Sequence, residues 1–345
     1  MLAYHRWVLR FSMAVITALA AVGATPTWSA AAPRYGEPQS RVAQSEVQKV
    51  GDGSRTSCTS AAVVRAVRRG GVIRFACGPR PVTITMRRTA KVINTSRRVV
   101  IDGGGLVTLS GMGKRRILYQ NTCDPKQIWT TSHCNDQAYP LLIVRNLTFA
   151  RGNATGQRYD GGGGGAVFAR GGRLKIVNST FVGNRCDRHG PDLGGAAVRV
   201  LDQYRDRVVH VDGSTFKGGR CSNGGAISSI GVSWRVQDST FRDNRAVGHG
   251  ANPARPGTRG GGSGGAIYLD GNRFTLSLVR TTVRNNVARE GGGAVFFVSN
   301  DGTGTMRIRH SRLVHNPSRG FETRGLPGIF FLGARRPTIV DSVLR

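Results

Sequence analysis

Acidic residues are scarce in this chain. Its 345 residues include 19 Asp and Glu against 50 Lys and Arg, which gives a formal net charge of +31 at pH 7. With so few carboxylates, no acidic cluster suited to calcium stands out, so no cofactor is indicated and calcium is left open. Such an imbalance usually implies a polyanionic partner. Outside the cell the candidates are acidic polysaccharides, teichoic-acid-like polymers, lipid head groups and stray nucleic acid, and a polyanionic glycan or cell-wall polymer is the predicted partner.

Long apolar runs are absent as well. Beyond residue 32 no stretch is long enough to cross a bilayer, which argues against a membrane span. The apolar run at 11–22 is also too short, and it lies between two arginines and a string of small residues, as in a secretory signal peptide. The sequence predicts a secreted, extracellular protein with a signal peptide over 1–32 and a flexible leader over 33–56.

Helical periodicity is missing from most of the chain, and a repeat takes its place. Gly-Gly-Ala followed by a small apolar residue occurs at 164–167, 194–197, 224–227, 264–267 and 292–295. A Ser/Thr-rich turn ending in one apolar anchor residue follows each copy, and a regular series of this kind indicates stacked units. Seven anchors recur: Phe149, Phe181, Phe216, Phe241, Val283, Leu313 and Leu344.

The residues before each anchor predict a strand. In nearly every unit the positions seven and five residues upstream are apolar, as with Leu142 and Val144 before Phe149, and the position between them is mostly polar. Alternation at period two indicates a strand with one face inward. By the same alternation Phe168 is expected to face outward. The predicted fold is all-β, a right-handed parallel β-helix solenoid of about nine rungs.

The two ends of the coil carry separate predictions. An amphipathic segment at 59–69 stops at two glycines and predicts a short N-terminal capping helix. The β-helix domain is placed at 57–345, with its cap at 57–77. At the other end the chain stops at Arg345 inside a predicted rung. An open edge invites pairing, so either self-association covers the uncapped C-terminal rung or this sequence ends before the natural protein does.

The six cysteines include no C-x-x-C pair, so a zinc site is disfavoured and no metal site is assigned. In an exported chain they are expected to form disulfides. Cys186 and Cys221 each lie five residues past an anchor on adjacent rungs, within disulfide reach. The other predicted disulfides are Cys58–Cys77, from cap to first strand, and Cys123–Cys134, which closes an insertion at 119–140.

Two columns of like residues are predicted to stack in the coil. Asparagines three residues past their anchors should hydrogen-bond from rung to rung. Arg185, Arg220 and Arg245 lie four residues past their anchors on three consecutive rungs. Stacked like charges repel unless an anion lies over them, so this column is a candidate polyanion site. The stacked asparagines are Asn184, Asn244, Asn286 and Asn316.

Loop insertions are expected along one edge of the coil, because the spacing from anchor to next corner varies most. These loops are at 153–163, 185–193, 245–263 and 317–325. A second basic column lies one residue past the anchors. The predicted substrate-binding residues are Arg185, Arg188, Arg220, Arg245, Arg255 and Arg259 with the second column, Lys217, Arg242 and Arg284.

The Gly-Gly-Ala-(Ile/Val) and Phe-x-x-Asn pair, as at 164–167 and 181–184, resembles the repeats of the chlamydial polymorphic outer membrane proteins. Over about 70–345 the coil resembles the pectate-lyase-like superfamily of right-handed parallel β-helices. The first resemblance implies a surface adhesin or autotransporter passenger. The second implies relatives among polysaccharide lyases and glycoside hydrolases.

Catalytic signals are thin. A lyase needs a cation against the uronate carboxylate and a base for the adjacent carbon acid, and His189, His249 and Tyr159 are the candidate bases. A glycoside hydrolase needs two carboxylates across the scissile bond, and no Asp-Asp pair is present. In the insertion, Trp129 either stacks on sugar rings or belongs to a flap packed on the first rungs, and the flap is favoured.

Two functional hypotheses remain. The first is a secreted β-helix protein that binds an acidic polysaccharide or other polyanion along its arginine-lined loop edge, with a polysaccharide lyase as its enzymatic form. The second is a non-catalytic adhesin or cell-envelope structural protein with the same basic face.

Overall fold

Parallel strands stacked in three sheets build the fold. The computed structural model describes residues 46–157 and 161–345, so the predicted signal peptide, the first part of the leader and Tyr159 lie outside the described residues. Strands of successive repeats pair in parallel in each sheet. Stacked parallel strands joined by short turns make a parallel β-helix, which confirms the predicted all-β fold.

The strands follow one another round the coil. In chain order they are β1 (Val47–Val50), β2 (Gly71–Phe75), β3 (Val82–Thr85), β4 (Ala90–Lys91), β5 (Arg98–Ser110), β6 (Leu118–Asn121), β7 (Leu141–Ala150), β8 (Val167–Arg170), β9 (Arg173–Val177), β10 (Thr180–Val182), β11 (Val198–Leu201), β12 (Val209–Asp212), β13 (Thr215–Lys217), β14 (Arg220–Cys221), β15 (Ile227–Ile230), β16 (Trp234–Gln237), β17 (Thr240–Arg242), β18 (Arg245–Ala246), β19 (Ile267–Gly271), β20 (Thr275–Val279), β21 (Thr282–Arg284), β22 (Val287–Ala288), β23 (Val295–Ser299), β24 (Thr305–Arg309), β25 (Arg312–Val314), β26 (Ile329–Leu332), β27 (Thr338–Val340) and β28 (Val343–Leu344).

The described residues form three sheets along the sides of the coil. Within the described residues, the largest sheet has 17 strands, and its later strands form two rows. One row contains β9, β12, β16, β20, β24 and β27, and the other contains β10, β13, β17, β21, β25 and β28. The second sheet has eight strands, ordered β26-β23-β19-β15-β11-β8-β6-β4. The third has three short strands, β14, β18 and β22. The apolar core lies between the two larger sheets.

The N-terminal end contains a helix and an unexpected strand. Helix α1 (Ser60–Arg69) begins after Thr59, whose hydroxyl accepts a hydrogen bond from the Ala62 amide, and ends at Gly70 with φ 80°. This confirms a helix at the predicted place. Strand β1 pairs with β2, although Val47–Val50 belongs to the predicted flexible leader. That prediction is wrong for β1, because four residues of alternating burial are too few to stand out in a sequence.

The predicted register is confirmed by the pairing of the anchors. Phe149, Phe181, Phe216 and Phe241 lie opposite one another in consecutive strands, and the column continues through smaller side chains. Their rings stack with centroids 5.1, 4.6 and 4.6 Å apart, and all four side chains are buried. Each ring therefore has a neighbour on the adjoining rung, and the stack fills the interior of the coil.

The corner at 194–197 differs from the prediction by one residue. Gly195, not Gly194, takes the positive φ (+74°) that Gly164 takes in the preceding repeat, and its carbonyl accepts the Gly164 amide. A Cβ on Gly195 would lie 2.2 Å from the Val198 carbonyl oxygen, so only glycine fits. The unit aligns as Gly-Ala-Ala at 195–197, with Ala196 where the other repeats have the second glycine.

The predicted asparagine ladder is confirmed. The Asn244 side-chain amide donates to Asn286 Oδ1 at 2.8 Å, and the Asn286 amide donates to Asn316 Oδ1 at 2.9 Å. Each Oδ1 also accepts a backbone N–H from the preceding rung, as Asn286 Oδ1 does from Asn244 N at 3.0 Å. The same arrangement joins Asn184 to Gly152 N. The ladder therefore satisfies buried polar groups at a corner where the strands are interrupted.

Replacing Asn286 by alanine is expected to lower the free energy of unfolding by about 1–3 kcal/mol, because it leaves buried donors and acceptors of two rungs without partners. Chemical denaturation measures this change. Asn272→Ala serves as the control, since Asn272 is exposed and no bond to its side chain is formed within the described ranges. Equal losses in the two variants would contradict a structural role for the ladder.

The outer face of the eight-stranded sheet is covered by loops. Phe168 lies on this face, as predicted, but it is fully buried, with its ring 5.4 Å from that of Tyr119 and 4.8 Å from the Arg116 guanidinium carbon. The loop at 185–193 reaches over the same face, where the Arg199 side chain donates to the Asp192 carbonyl at 2.8 Å. Phe168 therefore faces outward from the coil as predicted, but the insertions fold back onto the sheet and bury it as fully as the anchors.

The three predicted disulfides, Cys58–Cys77, Cys123–Cys134 and Cys186–Cys221, are present. The last joins adjacent rungs with its Cα atoms 4.8 Å apart, as the predicted register requires. Disulfides are typical of extracellular or envelope proteins. No helix in the described part of the chain is long and apolar enough to cross a membrane.

The insertion at 119–140 is held against the coil. The Asn94 side-chain amide donates to three carbonyls of this segment, including that of Trp129. Tyr119 is buried, whereas the Trp129 residue is 40% exposed. The interpretation as a flap packed on the first rungs therefore agrees with the structure better than an open aromatic platform.

The last rung is less buried than those before it. Ile339 and Leu344 pack only partly against the core. Val340 and Val343 are 38% and 40% exposed.

Candidate polyanion-binding groove

The three-stranded sheet carries the predicted arginine column. Arg220 of β14 pairs with Arg245 of β18, and Arg185 forms a parallel bridge with Arg220 one rung earlier. On the next rung the column continues with Val287. All three arginine side chains are exposed, and none forms an ion pair within residues 46–157 and 161–345. Three cations therefore stand one strand spacing apart without a carboxylate between them.

These arginines border a groove that runs across the rungs. It consists of two adjoining cavities of about 690 and 230 Å³, which share Arg188 and Val247 in their linings. We call the two together the arginine groove. No acidic residue is among the described residues that line it. Its basic residues are Arg151, Arg185, Arg188 and Arg220 in the larger cavity and Arg188, Arg245, Arg289 and Arg319 in the smaller one.

Three arginines of the groove were not among the predicted binding residues. Arg151 lies two positions past the anchor Phe149, at the turn between two sides of the coil. Arg289 and Arg319 each lie six positions past their anchors, and Ala288 bridges to Ser318 just before them. The alignment of repeats that identified the Arg185 column also places Arg289 and Arg319 at equivalent positions. This pair was missed because only two repeats have an arginine there.

The second predicted basic column is present but lies outside the groove. Lys217, Arg242 and Arg284 face one another in β13, β17 and β21. Arg242 donates to Asp243 Oδ2 at 2.7 Å, so its charge is partly balanced. This column follows the outer face of the largest sheet and lines neither of the groove's cavities.

A histidine, a glutamate and an arginine meet beside the groove. His249 Nδ1 lies 2.8 Å from Glu290 Oε1, and the same oxygen accepts the Gly250 amide at 2.9 Å. The Arg255 guanidinium donates to both Glu290 oxygens at 3.0 Å. The Glu290 side chain is 5% exposed and that of His249 is 46% exposed. Glu290 therefore orients the imidazole and leaves His249 Nε2 open to a ligand.

Glu290 stays ionised in this setting. Burial by itself raises the pKa of the Glu290 carboxyl, but the hydrogen bonds from Gly250, Arg255 and His249 and the charge of Arg255 outweigh it, so the pKa lies below its ordinary value. Glu290 was missed in the sequence. The available signal was an acidic residue immediately before a glycine corner in a chain with few acids.

The two predicted histidines lie near each other. Burial lowers the pKa of His189, and the charges of Arg259, Arg188, Arg289 and His249 lower it further. Arg188 and Arg289 also line the arginine groove, so the histidines lie at its side. Two of the predicted binding residues thus have other places: Arg255 is engaged with Glu290, and Arg259 lies beside His189.

Replacing Glu290 by glutamine is expected to lower the free energy of unfolding at pH 7 by about 1–3 kcal/mol, because a charged hydrogen-bond acceptor is lost. Since the pKa of Glu290 is lowered by folding, its stabilisation is complete above the ordinary value of 4.5 and is lost as the pH falls through the folded-state value. Unfolding measured from pH 7 to pH 3 should show the two proteins converge in acid. The exposed Glu46→Gln is the control, and a difference that persists in acid would contradict this account.

Metal ligands do not converge among the described residues. Within those ranges no three His, Cys, Asp or Glu side chains form an arrangement that suits a metal ion. The sequence identified no cofactor and left calcium open, and nothing here tests that. The role predicted for Tyr159 stays a prediction, since Tyr159 lies outside the described residues.

One repeat of the coil resembles a known family. Residues 238–270 match the Chlamydia polymorphic membrane protein (Chlamydia_PMP) repeat. This stretch runs from the turn before Phe241 to the glycine corner at 264–267, so the resemblance to these repeats is confirmed for one unit. Neither the curated proteins nor the solved structures contain a significant match to the chain.

Proposed function

We propose that this chain is a secreted β-helix protein, of the pectate-lyase-like kind, that binds a linear anionic polysaccharide or cell-wall polymer along the arginine groove. The observation that carries the proposal is the column Arg185, Arg220 and Arg245, which forms no ion pair with any described residue. It stands in a groove lined by four further arginines and, among the described residues, by no acid.

The geometry favours a polymer over a small anion. Parallel strands stack about 4.8 Å apart, so one cation recurs per rung and the column runs along the axis of the coil. A chain with regularly spaced carboxylates or phosphates that lies along this axis meets several guanidinium groups at once. Small anions reach only one or two of them. The groove therefore selects for length as well as charge.

The proposal is tested by measuring binding of the mature protein to oligogalacturonates of increasing length, and to a phosphodiester polymer and a neutral glucan of matched size. We expect affinity to rise with the number of charges, to be absent for the glucan and to fall steeply with salt, because screening weakens exposed charge pairs. Equal affinity for the neutral glucan would overturn the proposal.

A polysaccharide lyase is the second candidate, and the His249–Glu290 pair favours it. An arginine of the groove neutralises a uronate carboxylate, which acidifies the adjacent C–H bond. His249 Nε2 takes that proton, the C–H electron pair forms the C4=C5 double bond as the C4–O bond breaks, and the leaving oxygen takes a proton from solvent. Glu290 holds the imidazole in the tautomer this step requires.

Turnover distinguishes a lyase from a non-catalytic adhesin or envelope protein. A lyase releases unsaturated sugars that absorb in the near ultraviolet when it is incubated with uronate polymers, and His249→Gln should remove this activity while binding stays within a few-fold. Binding without any such product in the unmodified protein would leave the non-catalytic adhesin or envelope protein as the function of the groove.

A further inference from the structure

A second basic surface lies on the outer face of the largest sheet. Lys175, His210 and Arg235 stand opposite one another in β9, β12 and β16, and the column continues through Ser277 to Arg307 in β24. The four basic side chains are exposed. Among the described residues none of them takes part in an ion pair.

This column forms the floor of a continuous trough. Three cavities of about 480, 270 and 500 Å³ follow it, and each shares residues with the next, Lys175 and His210 at one junction and His210 and Arg235 at the other. We call them together the strand-face trough. Its basic residues are Arg173, Lys175, Arg205, Arg207, His210, Arg235, Arg307 and Arg309.

The acids in the trough do not balance these charges. Asp206 lies 3.9 Å from Arg273, and Asp212 Oδ1 accepts a hydrogen bond from Gln237 at 3.3 Å. They are the only carboxylates among the described residues that line the trough. Exposed like charges on neighbouring strands repel one another, so an anion bound across the strands relieves this repulsion.

The trough is separate from the arginine groove. Among the residues that the structure describes, the two share no lining residue. Along each rung the strands β10, β13, β17, β21 and β25, which carry the anchors, lie between them. One polymer segment lying along the coil axis in the groove therefore leaves the trough open.

We propose that the strand-face trough is a second binding surface for a linear polymer with carboxylate or phosphate groups on successive units, so that one molecule holds two polymer strands. This inference builds on the proposed function of the groove but depends on different residues. Its functional consequence is that the protein crosslinks anionic polymers, which a single groove does not do.

His210 makes the trough sensitive to pH. Partial loss of solvation beside the neighbouring strands lowers the pKa of His210 below its ordinary value of 6.5, and the charges of Lys175 and Arg235 lower it further, against the opposing charge of Asp212. The cavity that His210 shares with Lys175 also contains the cations Arg205 and Arg207 and the carboxylate Asp206. A polymer anion over the ring favours the protonated form, so affinity at the trough rises as the pH falls.

Stoichiometry tests the two-site arrangement. Calorimetry with short oligogalacturonates, and with short polyphosphates as the phosphate arm, should give two sites per molecule. Long chains should be crosslinked, which light scattering detects. The triple variant Lys175→Ser, Arg235→Ser and Arg307→Ser should bind one oligomer and lose the crosslinking. All three side chains are exposed, so unchanged thermal unfolding should confirm that the fold is intact.

The matched variant Arg185→Ser, Arg220→Ser and Arg245→Ser separates this inference from the proposed function, because it removes the groove column and leaves the trough. One site in the unmodified protein, lost in the groove variant and kept in the trough variant, would overturn the trough and leave the groove. One site in the unmodified protein that is kept in the groove variant and lost in the trough variant would overturn the groove alone. Crosslinking that survives the trough substitutions would also overturn the trough.

The pH dependence is tested by measuring the affinity of the groove variant for sulfated dextran, whose charge is constant between pH 8 and pH 5. Affinity should rise about two- to fivefold over this range, the amount expected for one added exposed charge contact. In the same background His210→Gln should abolish the rise. An unchanged pH profile in His210→Gln would overturn the role of His210.

Discussion

Replacing Arg185, Arg220 and Arg245 together by serine is expected to weaken polyanion binding by about 3- to 150-fold, if each exposed contact contributes about 0.2–1 kcal/mol. The melting temperature should stay the same or rise, because the three stacked cations repel one another in the free protein. Binding titrations at two salt concentrations measure the effect, and its size should shrink at the higher one.

Arg65, Arg80 and Arg88 provide the control for this prediction. All three are exposed, belong to the N-terminal part of the coil and line neither the groove nor the trough. Their replacement by serine removes the same total charge. An equal loss of affinity in this control would show that the attraction is a property of the whole surface and that the groove is not a defined site.

Replacing Phe216 by alanine is expected to lower the free energy of unfolding by about 3–5 kcal/mol, because its ring is fully buried and a cavity is left between two neighbouring rings. Phe216→Leu should cost only about 1–2 kcal/mol, since fewer buried carbons are lost. The column itself accepts smaller residues at Val283 and Leu313. Denaturant unfolding compares the two variants, and equal costs would argue against a tightly filled stack.

Phe168 now provides a second test of burial. Because its side chain is covered by loops outside the coil, Phe168→Ala is expected to destabilise the protein by an amount similar to the Phe216 change, about 3–5 kcal/mol. A cost well below this range would indicate that the loops close over the space left by the ring.

The strand register was predictable because every repeat has the same spacing of residues around its anchor. The anchor column, the asparagine ladder and the Cys186–Cys221 disulfide all follow from counting residues past the anchor. Counting from the anchor fails where a repeat differs in internal length. At 194–197 the glycine with positive φ is one residue later than the pattern places it. Strand β1 has no repeat to identify it.

The candidate site was predictable only in part, for a related reason. Arg185, Arg220 and Arg245 occupy equivalent positions, so their stacking follows from the register. The meeting of Glu290 with His249 joins loops that are 41 residues apart and have no counterpart in other repeats. How far a long loop folds back, and which face it covers, depends on tertiary contacts such as that between Asn252 and Tyr268. Such contacts leave no periodic trace.

Because the column has one arginine per rung, its length follows the number of rungs. Phe216 and Phe241 are 25 residues apart and pair directly, so one such unit advances the column by a single strand and adds a single arginine. Duplication or loss of a whole unit would lengthen or shorten the row of charges without disturbing the pairing of the units on either side. If the groove binds a polyanion as proposed, the number of ligand charges it contacts depends on how many copies of the unit the gene contains, so valency can evolve while the fold stays the same.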